Sequence, residues 1–217
     1  MFFPVPSDPS VAAVGASFTA ITLAELGDKS FFMALILATR HRGRHVFLGA
    51  FAALAAVTLI SLGMGYGLQK LLPAAVVPWL AALLFTLFGL KLIVDAQRMG
   101  ANEDEEEREA QKAIEAAESG GRISRPWAVM WEAFALVFLA ELGDRTQFAT
   151  IFLATAPAFT FSGLLAGTLA GHAAVTALAV GAGKWIGTRI NERLLYRLSG
   201  GLFLAFGLLS LQQALSR

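Results

Sequence analysis

Residues 25–30 read Glu-Leu-Gly-Asp-Lys-Ser, inside the apolar stretch SFTAITLAELGDKSFFMALILAT, and residues 141–146 read Glu-Leu-Gly-Asp-Arg-Thr, inside FALVFLAELGDRTQFATIFLAT. Two carboxylates and a cation thus stand at the middle of an oily segment, twice. Outward from each phrase the chain stays apolar. Of 217 residues, 56% are hydrophobic and 15% charged, and the mean hydropathy is +0.63. Soluble domains carry about a quarter charged residues, so the composition points to a membrane. A net charge of +1 suggests no nucleic-acid partner, and the absence of cysteine excludes disulfides, thiolate metal sites and cysteine nucleophiles. The opening MFFPVPSDPS has no Lys or Arg and fits neither a secretory signal nor a transit peptide. Its first span is expected to direct insertion.

Six segments are long enough to cross about 30 Å of hydrocarbon. They lie near Ser17–Thr39, Val46–Leu68, Trp79–Gln97, Trp127–Thr155, Phe161–Trp185 and Leu194–Leu215. Basic residues set the expected orientation. Arg40, Arg42 and Arg44 follow span 1. Arg98, Arg108, Lys112, Arg122 and Arg125 lie in the central connection, and Lys184, Arg189, Arg193 and Arg197 lie between spans 5 and 6. The opposite side has Lys70 and Arg217. The positive-inside rule then predicts both termini outside and the acidic linker in the cytoplasm. That linker, GANEDEEEREAQKAIEAAESGGR, reads as a solvated helix closed by Gly120–Gly121, a soluble tether between two halves.

The chain is written twice. Glu25 and Glu141 are 116 residues apart; AAVT at 55–58 recurs at 173–176, Gly63 and Gly65 at Gly181 and Gly183, and FGL at 88–90 recurs at 206–208, each 118 residues on. This predicts an all-α membrane protein of two three-helix repeats, 11–98 and 127–217, joined by the linker 99–126. An odd number of spans per repeat inverts the second, as in many secondary transporters with midplane sites. A pseudo-two-fold axis then brings the two acidic phrases face to face.

On a continuous helix Glu25 and Asp28 share a face, as do Glu141 and Asp144. Lys29 and Arg145 lie four residues beyond Glu25 and Glu141, the favoured order for ion pairs. Four carboxylates against two cations leave two negative charges, the number one divalent cation neutralises. Buried charges at mid-membrane cost about 2.5–3.5 kcal/mol each, so these groups are expected to face one another or water. Gly27 and Gly143 permit close backbone approach or local unwinding. The carboxylates, the Ser30 and Thr146 hydroxyls, the Gln147 amide and freed carbonyls form an all-oxygen set suited to Mg2+, Ca2+ or Mn2+. Emptied of metal, crowded carboxylates repel one another, and protons are the natural counter-ion. The competing structural reading makes the same charges internal salt bridges between helices.

The doubled Glu-x-Gly-Asp-[Lys/Arg]-[Ser/Thr] phrase in a three-plus-three chain resembles the cation/proton antiporter family of the Golgi manganese/calcium transporters and their bacterial and cyanobacterial manganese-exporting relatives. The resemblance implies movement of Mn2+ or Ca2+ against protons, with Glu25, Asp28, Glu141 and Asp144 as metal ligands and Ser30 and Thr146 in support. The expected protein is therefore a multi-pass exporter in a bacterial inner membrane. Its halves rock about a central site, Mn2+ or Ca2+ is its cargo, and it has no resident cofactor. The rivals are an exporter of an amino acid or other organic cation and a non-transporting membrane scaffold.

Elsewhere, Lys91 and Asp95 read as a local ion pair, and Glu132 as an interfacial acid. His172 reads as a histidine satisfied by packing and one hydrogen bond, and Gly163, Gly167 and Gly171 as a helix-packing stripe. Nothing in the chain suggests catalysis, since it has no nucleophile–base arrangement, phosphate loop or redox motif.

Overall fold

A computed structural model of the chain describes residues 8–73, 75–98, 105–118, 125–156, 159–182 and 192–216. Arg122, Lys184, Arg189, Gly183, Trp185, Arg217 and the Gly120–Gly121 helix stop lie outside these residues. The described residues form helices and no strand: α1 (Pro9–Glu25), α2 (Lys29–Arg40), α3 (Gly43–Leu71), α4 (Val77–Arg98), α5 (Glu105–Glu118), α6 (Pro126–Glu141), α7 (Arg145–Thr155), α8 (Phe161–Ala182) and α9 (Glu192–Leu215). Helices α3, α4, α8 and α9 are each long and apolar enough to span a membrane. The pairs α1–α2 and α6–α7 each do so as one bent span, with bends of 66° and 70°. The chain is an all-α, multi-pass membrane protein.

Two expectations about the spans are corrected. The first begins not at Ser17 but at Pro9, because Asp8 caps the helix by accepting from the Ser10 N–H at 2.8 Å and proline fits the first turn. Spans 1 and 4 are not continuous helices, since both break inside the acidic phrase.

Contacts at the glycines show how the repeats are laid together. Gly49 of α3 abuts Met130 and Ala133 of α6, and Gly167 of α8 abuts Val14 and Ser17 of α1. These are the same contact made twice: 167 is 118 beyond 49, while 14 and 17 are 116 before 130 and 133. Likewise Gly89 of α4 meets Gly200 and Leu204 of α9, and its counterpart Gly207 meets Ala82 and Thr86. A pseudo-two-fold axis relates the halves.

Their direction follows from the same neighbours. Along α8, Gly163, Gly167 and Gly171 meet Ser10–Ala13, Val14–Ser17 and Phe18–Thr22, so α8 runs parallel to α1. Gly49 and Gly65 meet α6 and then α7 in order, so α3 runs parallel to that bent span. Gly43 faces Val180 while Leu54 lies by His172, so α3 and α8 are antiparallel. Each helix of the first repeat therefore opposes its counterpart. The glycine stripe is the packing surface expected of it.

The main contacts join one half to the other: α1 with α8, α3 with α6 and α7, and α4 with α9. Helix α2 lies deepest, with every residue from Ser30 to Ala38 buried. Leu59, Ile60, Met64, Leu83, Leu87, Trp131, Leu139 and Leu208 are exposed and apolar, as a lipid-facing surface requires. Buried hydroxyls of Ser17, Thr58, Ser61 and Thr150 donate to carbonyls four residues back in their own helices, which satisfies them in an apolar medium.

The linker is not a soluble tether. Helix α5 packs on α2, and its Ala110 and Ile114 are fully buried in the core formed by Phe31, Leu35, Val129 and Val137. An i,i+4 apolar pair gives this otherwise charged helix one face to dock.

Candidate cation site between the bent spans

Each acidic phrase is a helix-breaking unit. Glu25 ends α1, Leu26 turns extended (φ −64°, ψ 118°), Gly27 takes φ 76°, and Asp28 sits at the N-cap of α2. The Asp28 N–H donates to the Glu25 carbonyl at 3.2 Å, closing a type II turn. The second copy repeats this with Leu142 (φ −68°, ψ 111°), Gly143 (φ 85°) and an Asp144 N–H to Glu141 carbonyl bond of 3.2 Å. Type II turns need positive φ at the third residue, which an L side chain resists by roughly 1–2 kcal/mol. Gly143→Ala has open space around its Cβ, so its cost is conformational alone. We expect a loss of about 1–2 kcal/mol in detergent unfolding, and Gly143→Asn, which tolerates the left-handed region, is expected to recover part of it.

The break still unites the acids. One carboxylate oxygen each from Glu25, Asp28 and Glu141 lie within 4.8 Å of one another, and these residues are only 1%, 5% and 1% exposed. Hydroxyls hold the glutamates in matching ways: Ser30 Oγ donates to Glu25 Oε2 at 3.0 Å, and Thr146 Oγ1 lies 3.1 Å from Glu141 Oε2. The other oxygen of each, Oε1, is buried without a hydrogen-bond partner. Asp144 stays outside the tight group. Its Oδ2 accepts from the Thr146 N–H and lies 3.2 Å from Thr146 Oγ1, so it anchors the start of α7. Gln147 turns its Oε1 to the Gly143 N–H at 2.7 Å, bracing the second turn.

The two basic residues do not make the expected i,i+4 pairs. Because the turn ends one helix before the next begins, Lys29 and Arg145 no longer sit one turn above Glu25 and Glu141. Arg145 instead pairs with Asp28 of the other half, and its guanidinium lies 4.9 Å from the centre of the Tyr196 ring. Lys29 turns outward to Glu109 of α5, and Tyr196 donates to Glu106 of the same helix. The pseudo-symmetry is therefore broken here: Arg145 reaches across to Asp28, but Lys29 does not reach across to Asp144.

His172 is not the histidine satisfied by packing and one hydrogen bond that its place in the span suggests; it adjoins the acidic centre. Its Nδ1 is buried, lacks a hydrogen-bond partner and stands 3.8 Å from Glu25 Oε1. Two small cavities meet at His172 and Leu54, one reaching Glu25 and Ser30, the other Glu141, Thr146 and Gln147. Each has room for about one water. The signal for His172 in the sequence is a histidine mid-span where the matching position of the first repeat is Leu54. Glu132, in the second turn of α6, is buried within the protein. Lys91 and Asp95 do form a local pair at 3.7 Å.

These features define a class: a multi-pass helical membrane protein with a duplicated, oxygen-rich acidic centre enclosed between inverted repeats. The family described as divalent cation/proton antiporter GDT1 matches residues 13–100 and 129–217, almost the whole of both repeats. The chain belongs to this family of antiporters; it is a transport protein and not an enzyme. It is 41% identical over 202 residues to a GDT1-like protein of Synechocystis sp., covering 92% of this chain and 97% of that one. It is 36% identical over 211 residues to the chloroplastic GDT1-like protein 1 of Oryza sativa subsp. japonica, covering 90% of this chain and 60% of the relative. With the chloroplastic protein PAM71 of Arabidopsis thaliana it shares 37% identity over 202 residues, 88% of this chain and 54% of the relative. The chain thus spans little more than half the length of these plant relatives. No solved structure matches it.

Proposed function

We propose that this antiporter exports Mn2+, with Ca2+ as the alternative cargo, in exchange for protons across a bacterial inner membrane. Both termini then face outward and the linker faces the cytoplasm. The observation that carries this reading is the pair of buried, unpartnered oxygens on Glu25 and Glu141 beside Asp28. A buried carboxylate oxygen without a donor is costly unless a cation or a proton meets it. Glu25, Asp28 and Glu141 supply the first ligands, Ser30 and Thr146 hold the glutamates in place, and Asp144 joins from the capping position when the site rearranges.

Charge gives the coupling. With Lys29 neutralised by Glu109, the four motif acids face Arg145 alone, leaving three negative charges when all are ionised. A divalent cation takes two of them and a proton the third. Metal and protons then compete for the same oxygens, so metal binding weakens as pH falls. A more acidic outside releases metal there and loads protons for the return. The water-sized cavities favour a bare ion over an amino acid.

The test is metal flux in vesicles holding the purified chain, under an imposed pH gradient. Mn2+ movement opposite to the proton gradient, collapsing when the gradient is dissipated, is the expected result. Flux indifferent to the gradient rejects proton exchange, and no flux of Mn2+ or Ca2+ rejects the cargo.

A further inference from the structure

A second group of ligands lies away from the acidic phrases. His41 ends α2, Glu118 ends α5, and Glu132 stands in the second turn of α6. One ligand atom from each falls within 4.8 Å of the other two. His41 Nε2 is 3.3 Å from Glu118 Oε1 and 3.8 Å from Glu132 Oε2. Arg40 engages the other oxygen of Glu118 and so turns Oε1 toward the imidazole.

The side chain of Glu132 is 4% exposed, and both its oxygens are buried with no hydrogen-bond partner. That is a buried acid with no hydrogen-bond donor, within ion-pair range of an imidazole but too far from it for a hydrogen bond. Ligands on one ion with bonds of about 2.1 Å stand roughly 3.0 Å apart in an octahedron and roughly 3.4 Å in a tetrahedron, so the two spacings seen, 3.3 and 3.8 Å, lie within an ångström of closing on an ion. The group is separate from the central acids: Glu132 lies nine residues before Glu141 on α6, about 13 Å along the helix.

We propose that His41, Glu118 and Glu132 form a second divalent-metal site, selective for first-row transition ions such as Mn2+ over Ca2+, which fastens the linker helix α5 to the bundle. The selectivity comes from the imidazole, since Ca2+ takes oxygen ligands while Mn2+ and Zn2+ accept nitrogen. The fastening comes from where the ligands originate: Glu118 arrives on the linker, His41 and Glu132 on the spans. Helix α5 also holds Lys29 through Glu109 and Tyr196 through Glu106, so an ion at His41 steadies the partners of the central site from one side.

The test uses the full chain in detergent with Glu25→Gln and Glu141→Gln to disable the central site, titrated with Mn2+ and followed by electron paramagnetic resonance. One bound Mn2+ is expected, with nitrogen modulation in pulsed spectra from the imidazole and no displacement by tenfold Ca2+. Adding His41→Gln is expected to remove the nitrogen signal and to weaken Mn2+ binding at least about 10-fold. Glu132→Gln, which keeps the shape and removes a buried charge, is expected to weaken binding similarly and serves if the histidine variant does not fold. No Mn2+ bound in the double-glutamine chain, nitrogen modulation that survives His41→Gln, or equal displacement by Ca2+ overturns the proposal. Because the central glutamates are absent throughout, the result stands apart from whether the central site carries transport.

Discussion

Replacing Glu25 and Glu141 together by glutamine is expected to abolish cation flux while leaving the chain folded. Both side chains keep their shape, and the Ser30 and Thr146 hydroxyls still find an oxygen to donate to. What disappears is two of the three clustered charges and both unpartnered oxygens. Losing only an outer hydrogen-bond partner of a metal ligand costs about 10–100-fold in affinity, so losing two charged ligands is expected to exceed about 100-fold in Mn2+ or Ca2+ flux. Stability moves the other way, because two carboxylates no longer have to be buried. An unchanged or raised thermal midpoint with no flux is the expected pair of readings. Normal flux in the double variant ends the assignment of these glutamates, and misfolding returns them to the role of structural anchors.

The second large effect is on stability. Arg145 is the cation that joins the two repeats at their centre, paired with Asp28 and laid over Tyr196, with its side chain 14% exposed. Breaking a buried pair by removing one partner costs about 3–5 kcal/mol, since the other charge is left uncompensated. Arg145→Gln is therefore expected to lower the unfolding free energy by about 3 kcal/mol. Asp28→Asn in the same chain is expected to recover much of that loss, because the stranded carboxylate is gone. Transport is not expected to return, since Asp28 is also a proposed ligand. A thermal-stability cycle over the wild type, both single variants and the double variant measures the coupling. Additive losses would show that the two side chains do not act as a pair.

Much of the architecture could be read from the amino-acid order. The six apolar stretches, the recurring AAVT and FGL, and the two acidic phrases together require inverted repeats, and the glycine contacts repeat at the same offsets. The helix breaks were harder to see. Apolar residues resume at once on both sides of the six-residue acidic phrase, so each stretch is long enough for one unbroken span, and a single glycine is common in membrane helices. Yet Leu-Gly-Asp carries its own stop-and-start signal: a left-handed glycine that ends one helix and an aspartate at the N-cap position of the next, where Asp144 makes the capping bond and Asp28 pairs with Arg145 instead. Spacing rules for a continuous helix then misplace Lys29 and Arg145, whose partners lie 80 and 117 positions away. Such distant pairings have no local signature. The docking of α5 did have one, in Ala110 and Ile114 among the glutamates, but the acidic run masked it. His41 lies in HRGRH, where Arg42 and Arg44 give the segment the character of an orienting basic loop and nothing local marks a ligand.

The broken pseudo-symmetry at the two basic residues has a further meaning for the exchange of access. Inverted repeats related by a two-fold axis have two equivalent ways to be unequal. In the one seen here, Arg145 is latched to the opposite repeat and Lys29 is held aside by the linker. Under the exchange proposed above, swapping the conformations of the repeats would give the two-fold counterpart of this state, with Lys29 on Asp144, Glu109 released and Arg145 let go from Asp28. The two cations would then act as alternating toggles, and the linker, which holds Lys29 but not Arg145, would bias the resting carrier toward the state seen here.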